Sequence, residues 1–96
     1  MRVSVCVATY NGEAFIFEQL QSILTQIGTD SEIIISDDAS NDKTLKIIEK
    51  INDHRIKVVL GPQKGLIKNF ENALYLAQGD YIFLADQDDK WLDDKV

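Results

Sequence analysis

A single cysteine, Cys6, leaves no partner for an intrachain disulfide. It lies in the apolar run 3–8, where a small buried thiol is the expected state, and nothing points to an oxidising compartment. Proline occurs once and glycine five times, so no linker-like stretch divides the chain. No run approaches the ~18 apolar residues of a membrane span. Met1-Arg2-Val3 enters a short strand-like segment, not the longer apolar segment of a signal peptide. Basic residues are outnumbered, ten Lys and Arg against sixteen Asp and Glu, for a net charge of −6. That balance argues against nonspecific nucleic-acid binding, which needs a basic face, and against anionic membrane surfaces.

What is present is the pattern of one globular unit. At 45% hydrophobic and 27% charged residues the chain can build an ordinary core. Residues 2–8 are rich in β-branched types and predict a strand. Over 13–27, Ile16, Leu20, Ile23, Leu24 and Ile27 recur at helical spacing, with Gly28 placed to end the helix. Ile33-Ile34-Ile35 forms the centre of a second strand. Ser40 or Asn41 can cap a helix over about 42–53, with Leu45, Ile48 and Ile51 inward. Ile56 to Leu60 reads as a third strand, broken by Gly61-Pro62. A third helix over 66–78 has Ile67, Phe70, Leu74 and Ala77 inward and Gly79 as its stop. Residues 80–85 make a fourth strand.

This alternation predicts an α/β, Rossmann-like parallel sheet of about four strands, with right-handed crossovers and helices on both faces. Ligands of such sheets bind beyond the carboxyl ends of the strands. Polar and special residues gather at those four places: Thr9-Tyr10-Asn11-Gly12, Asp37-Asp38-Ala39-Ser40, Gly61-Pro62-Gln63-Lys64-Gly65 and Asp86-Gln87-Asp88-Asp89.

The last loop sets three carboxylates within four residues. Two unit charges about 5 Å apart repel by roughly 1 kcal/mol in water, and by more at a half-buried site. A divalent cation with oxygen ligands, Mg²⁺ or Mn²⁺, would compensate them. A solvated acidic loop is the plain alternative. A calcium loop starting at Asp86 is excluded, because Trp91 stands where that loop needs glycine.

Asp37 and Asp38 form a second acidic pair. Either can serve the turn and the helix start, or accept a hydrogen bond from uracil or thymine N3–H or from ribose hydroxyls. Tyr10 can stack on a base or pack at the sheet edge. Glu13 suits a helix start, where negative charge is favourable, or a ligand role. Lys64 and Lys68, at the start of the third helix, run against the dipole and hint at an anionic partner, with solvated lysines as the plain alternative. Trp91 reads as a cap on the core, and His54 receives no role.

Val7-Ala8-Thr9-Tyr10-Asn11-Gly12, Ile35-Ser36-Asp37-Asp38-Ala39-Ser40-Asn41-Asp42, Gly65-Leu66-Ile67-Lys68-Asn69 and Leu84-Ala85-Asp86-Gln87-Asp88-Asp89-Lys90-Trp91 together resemble the family 2 glycosyltransferases of the GT-A fold. The likeness spans the chain, with the four motifs in order and at family spacing. Lys68 stands where an Arg is frequent, and Ala8 where many members have Pro. The resemblance implies a nucleotide-diphosphate sugar donor, UDP- or dTDP-linked, a Mg²⁺ or Mn²⁺ ion, and inverting transfer to an acceptor hydroxyl. Carried over by position, Thr9 and Tyr10 line the nucleotide pocket, Asp38 or Asp37 contacts the base, Asp86 meets the ribose, and Asp88 holds the metal as part of an Asp-x-Asp motif. Asn11, Glu13 and Lys68 complete the candidate nucleotide-binding set. The form of the last motif is similar to bacterial members that build cell-surface polysaccharide, rhamnosyltransferase-like ones included.

The resemblance further implies that acceptor site and general base lie on a second half of the domain. Residues 1–96 are then the donor nucleotide-binding part, truncated before the acceptor half, with no catalytic base assigned. A glycan or lipid-linked acceptor is expected in the full-length protein. So is a cytoplasmic location, at the inner face of the membrane where the longer protein attaches to one. In the family-like order the fourth strand lies beside the first, leaving Tyr81-Ile82-Phe83-Leu84 as an open edge. A homo-oligomer through that edge is expected.

A non-catalytic nucleotide or nucleotide-sugar binding module is the alternative function, separable by saturable binding without transfer. A phospho-receiver domain would need its acidic pair after the first strand and an acceptor Asp after the third. Those places hold Thr9-Tyr10-Asn11 and Gly61-Pro62. A sugar nucleotidylyltransferase would want a Gly-rich, Arg-containing loop after the first strand, where only Gly12 stands.

Overall fold

A computed structural model describes residues 2–86, and of Asp86 the backbone alone. The metal-ligand candidate Asp88 and the cap candidate Trp91 lie outside the described residues. Strands and helices alternate as β1 (Val3–Thr9), α1 (Ile16–Leu24), β2 (Glu32–Asp37), α2 (Thr44–Ile51), β3 (Ile56–Leu60), α3 (Leu66–Leu76) and β4 (Tyr81–Asp86). The strands form one parallel sheet in the order β3-β2-β1-β4. β1 and β2 lie in its centre with every side chain buried. Their valines and isoleucines suit that place, since central parallel strands are covered on both faces.

Period two divides the core. Val3, Val5, Val7, Ile33 and Ile35 pack with Ile16, Leu20 and Ile23 of α1 and Ile48 of α2. On the other face Cys6 and Ile34 meet Ala73 of α3. Helices therefore cover both faces, as expected.

The helices are shorter than their hydrophobic repeats predict. Residues 13–15 form a turn in which the Phe15 and Ile16 N–H groups both donate to the Gly12 carbonyl, at 3.0 and 2.9 Å, so α1 begins at Ile16. Neither Ser40 nor Asn41 caps α2. Ser40 is held by Asp37, and Asp42 accepts the Thr44 N–H instead, at 2.9 Å. Asn52, in the left-handed region at φ 51°, ends α2.

The inward face of α3 also differs from its repeat. Asn69 and Ala73 are buried, whereas Ile67 is 76% exposed and Leu74 37%. The helix lies over β1 and β2. Its small and polar stripe is fully buried, whereas Phe70 is half-buried. Leu45 of α2 is likewise exposed where burial was expected.

At the amino end of the sheet the Glu32 carboxylate is buried. It accepts from the Ser4 hydroxyl (2.6 Å), the Gln78 N–H (2.8 Å) and Lys57 Nζ (2.8 Å). Burial pushes its pKa up, but the Lys57, Ser4 and Gln78 donors outweigh that and hold it at about 2. Burial, then the Glu32 charge, push the Cys6 thiol up to about 11, which keeps it protonated and unreactive.

Candidate functional site

The register of the sheet brings the motifs after β1, β2 and β3, and the backbone of Asp86 at the end of β4, to one edge. Thr9 is level with Asp37, Asp37 with Leu60, and Ala8 with Asp86. The loops that leave β1, β2 and β3 therefore rise side by side at the carboxyl end, where parallel sheets bind ligands.

Asp37 and Asp38 point to different tasks. Asp37 is 2% exposed and accepts three hydrogen bonds: from the Thr9 hydroxyl (2.7 Å), the Ser40 N–H (2.9 Å) and the Ser40 hydroxyl (2.6 Å). It is the buried joint between the loops after β1 and β2. Asp38 is partly exposed and accepts the Gln63 N–H at 2.7 Å, which ties it to the loop after β3. Its carboxylate lines a cleft of about 280 Å³ with Ala8, Thr9, Tyr10, Gly65, Leu66 and Asn69.

The cleft mixes apolar wall and polar rim. Tyr10, at 54% exposure, and Leu66, at 51%, offer surface against which a planar ring can lie. Thr9 reaches the cleft, but its hydroxyl is spent on Asp37. Its carbonyl takes the Asp38 N–H at 2.9 Å. Gly65, at φ +98°, opens α3 in a conformation that side chains rarely adopt.

Other candidates serve the loops around the cleft. Asn11 takes the Asn41 N–H on its amide oxygen at 2.9 Å and gives its own N–H to the Ser40 hydroxyl, also at 2.9 Å. Glu13 is exposed, and its N–H donates to Asp42 Oδ2 at 3.2 Å. Burial acts to raise the Asp42 pKa, but hydrogen bonds from Thr44 and Glu13 bring it below the ordinary carboxylate value. Lys68 lies round α3 from the cleft, in an exposed pair with Glu71 at 3.5 Å. It borders a separate groove with Pro62, Lys64 and Tyr75. Asp86 is brought beside Ala8 by its backbone pairing.

Three participants carry weaker signals in the sequence. Gln63 shows nothing that marks its N–H as a partner for Asp38. Gly61 reads as a strand breaker. Asn69 stands among residues at helical spacing, and the clue is that a polar residue occupies the helix's buried stripe. Among the described residues no group of three or more His, Cys, Asp or Glu is placed to hold a metal ion.

The family model for glycosyl transferase family 2 matches residues 4–96. The chain is 43% identical to the dTDP-rhamnosyl transferase RfbG of Shigella flexneri, over 94% of this chain and 34% of that protein. It is 40% identical to the UDP-Glc:alpha-D-GlcNAc-diphosphoundecaprenol beta-1,3-glucosyltransferase WfaP of Escherichia coli, over 98% of this chain and 38% of that protein. The crystal structure of S. aureus TarS 1-349 superposes with a TM-score of 0.87 at 36% identity, covering 97% of this chain and 29% of that one. TarS has also been crystallised with UDP-GlcNAc, a structure that matches with a TM-score of 0.77 at 36% identity, over 92% of this chain and 27% of that one. The mannosyltransferase PcManGT from Pyrobaculum calidifontis, in complex with GDP-Man and Mn²⁺, superposes with a TM-score of 0.84 at 30% identity, over 96% of this chain and 29% of that one. The chain thus spans about a third of the length of the curated relatives it matches.

Proposed function

Because the chain belongs to glycosyl transferase family 2 and has the GT-A fold, we propose that it is the donor-binding part of an inverting glycosyltransferase that makes cell-surface polysaccharide. The observation that carries this reading is the cleft at the carboxyl edge of the sheet. Loops from three strands converge there on one accessible carboxylate, Asp38. Asp38 accepts the N3–H of a uracil or thymine ring, and Tyr10 covers the ring. The ribose and diphosphate then run along the sheet edge toward the end of β4, where Asp86 meets the ribose. Thr9 and Asn11 shape the loop, while Glu13 and Lys68, which do not line the cleft, make no contact with the base in this reading.

Asp88 is the proposed ligand of Mg²⁺ or Mn²⁺. The backbone of β4 ends beside Ala8 on the cleft side, and the carboxylates that follow in sequence are hard oxygen donors of the kind these ions prefer. The ion supplies positive charge where negative charge grows on the departing diphosphate. In the transfer, an acceptor hydroxyl oxygen bonds to the anomeric carbon as the bond to the diphosphate oxygen breaks. Attack opposite the leaving group inverts the centre, and the hydroxyl proton passes to a base. A UDP- or dTDP-linked donor fits the Asp38 geometry, and a glycan or lipid-linked alcohol is the proposed acceptor in the whole protein. A lipid-linked acceptor would put the reaction at the inner, cytoplasmic face of a membrane.

Titration calorimetry with UDP and dTDP, with and without Mn²⁺, tests the reading. We expect Mn²⁺ to strengthen binding, and Asp88→Ala to remove that gain by an order of magnitude or more. Equal affinity of parent and variant in both conditions would refute the metal assignment. Absence of any nucleotide binding by the parent would refute the whole reading.

A further inference from the structure

Asn69 is 2% exposed yet lines the cleft. Its Nδ2 donates to the Thr9 carbonyl at 3.4 Å, the same oxygen that takes the Asp38 N–H. Its Oδ1 is buried with no hydrogen-bond partner among the described residues. A buried amide oxygen without a donor is costly, and such a group invites an explanation.

Gly61 supplies it. A Cβ at position 61 would stand 2.3 Å from Asn69 Oδ1 and 2.3 Å from Asp38 Oδ1. The amide of Asn69 and the carboxylate of Asp38 thus share the small space that any side chain at 61 would fill. As placed, two acceptor oxygens face that space, Asn69 Oδ1 and Asp38 Oδ1. Turning the amide by half a rotation would set Nδ2 toward Asp38 in exchange for its bond to the Thr9 carbonyl. In both arrangements Asn69 is the buried side chain that borders the carboxylate across Gly61, while the Gln63 N–H holds it from the opposite loop.

We infer that Asn69 is a positioning residue for base recognition: reaching Asp38 across the bare Cα of Gly61, its amide sets the carboxylate that separates a base with a ring N–H from one with a bare ring nitrogen. Uracil and thymine present N3–H and are accepted. Cytosine presents an unprotonated N3, an acceptor facing acceptors, and is refused. The inference rests on the nucleotide-binding reading of the cleft.

The experiment compares UDP and CDP affinities by calorimetry for the parent, Asn69→Leu, Asn69→Asp and Gly61→Ala, with thermal melting of each. Asn69→Leu removes the amide while keeping its branched shape, Asn69→Asp sets a second carboxylate against the first, and Gly61→Ala drives a methyl between the two oxygens. We expect the UDP-to-CDP affinity ratio to fall roughly tenfold in each variant that remains folded, with the gain from Mn²⁺ unchanged. A purely structural role would lower the melting temperature and leave the ratio as in the parent, which overturns the inference even if only Gly61→Ala or Asn69→Asp can be measured. If the parent itself binds no UDP, the underlying reading fails with it. Parent binding with unchanged ratios sinks the positioning role alone.

Discussion

Two adjacent aspartates of the same chemistry do different work because β2 ends between them. Asp37 belongs to the last rung of the sheet and is sealed by Thr9 and Ser40, while Asp38 leaves the sheet and reaches the cleft. Removing a buried acceptor strands the donors it satisfied. Asp37→Ala should therefore lower unfolding stability by about 3 kcal/mol in urea or heat, through the orphaned Thr9 and Ser40 groups. Asp38→Asn should leave stability within about 0.5 kcal/mol of the parent, as for a surface substitution. It should instead reduce discrimination between UDP and CDP in calorimetry, because an amide can donate to cytosine N3 where a carboxylate cannot. An unchanged ratio in Asp38→Asn, with a change in a stable Asp37→Asn, would reverse the two assignments.

Between elements, the amino end of the sheet is fastened by charge and the carboxyl end is left for binding. Glu32 on β2 joins Ser4 of β1, Lys57 of β3 and the segment between α3 and β4. Arg55 joins the start of β3 to the end of α1. Its Nη1 donates to the Leu24 and Ile27 carbonyls at 3.1 and 3.0 Å, and its guanidinium lies 2.8 Å from Asp53. The Arg55 hydrogen bonds hold Asp53 at about 2, from an ordinary 3.8.

A carboxylate whose pKa is lowered on folding contributes stability that is fully present above its unfolded pKa and is lost as pH falls through the folded value. For Glu32 that window runs from the ordinary 4.5 down to about 2. Unfolding free energy should fall with acid across it. Glu32→Gln should be less stable at pH 7 and show a shallower acid slope, with the Asp53 share remaining. Parallel pH profiles for parent and variant would show that Glu32 does not carry the linkage.

For the whole molecule, the two sheet edges are unequally protected. β3 carries Lys57 and is followed by Pro62, both of which discourage pairing. Among the described residues β4 pairs with β1 alone, and Tyr81, Ile82 and Leu84 are 56%, 46% and 51% exposed. The residues 81–85 include neither lysine nor proline. On the α3 side of the sheet, Ile82 and Leu84 share their face with Cys6 and Ile34. We expect the 96-residue chain to associate with a second copy through this edge. Sedimentation at micromolar concentration should then give more than the 10.9 kDa of one chain. Ile82→Lys, which sets a charge on that face, should return it to the monomer. A parent that sediments as a monomer over the same range would refute the association.

The sequence by itself determined the order of elements, the parallel sheet and the edge at which the motifs collect. Those follow from local periodicity and from the chirality rule that nearly all parallel crossovers obey. It also marked the 37–38 pair and the motif after β1 as site material, since carboxylates at strand ends are costly without a purpose. Only the tertiary structure decided that Asp37 is a sealed joint and Asp38 the open acceptor. The same is true of α3, which turns Asn69 rather than Ile67 toward the sheet, and of Gly61, whose missing side chain admits two oxygens. These are matters of a few ångströms between residues up to 60 positions apart. Spacing along a chain fixes which face of its own element a residue occupies, whereas the neighbour across the gap is set by how whole elements pack.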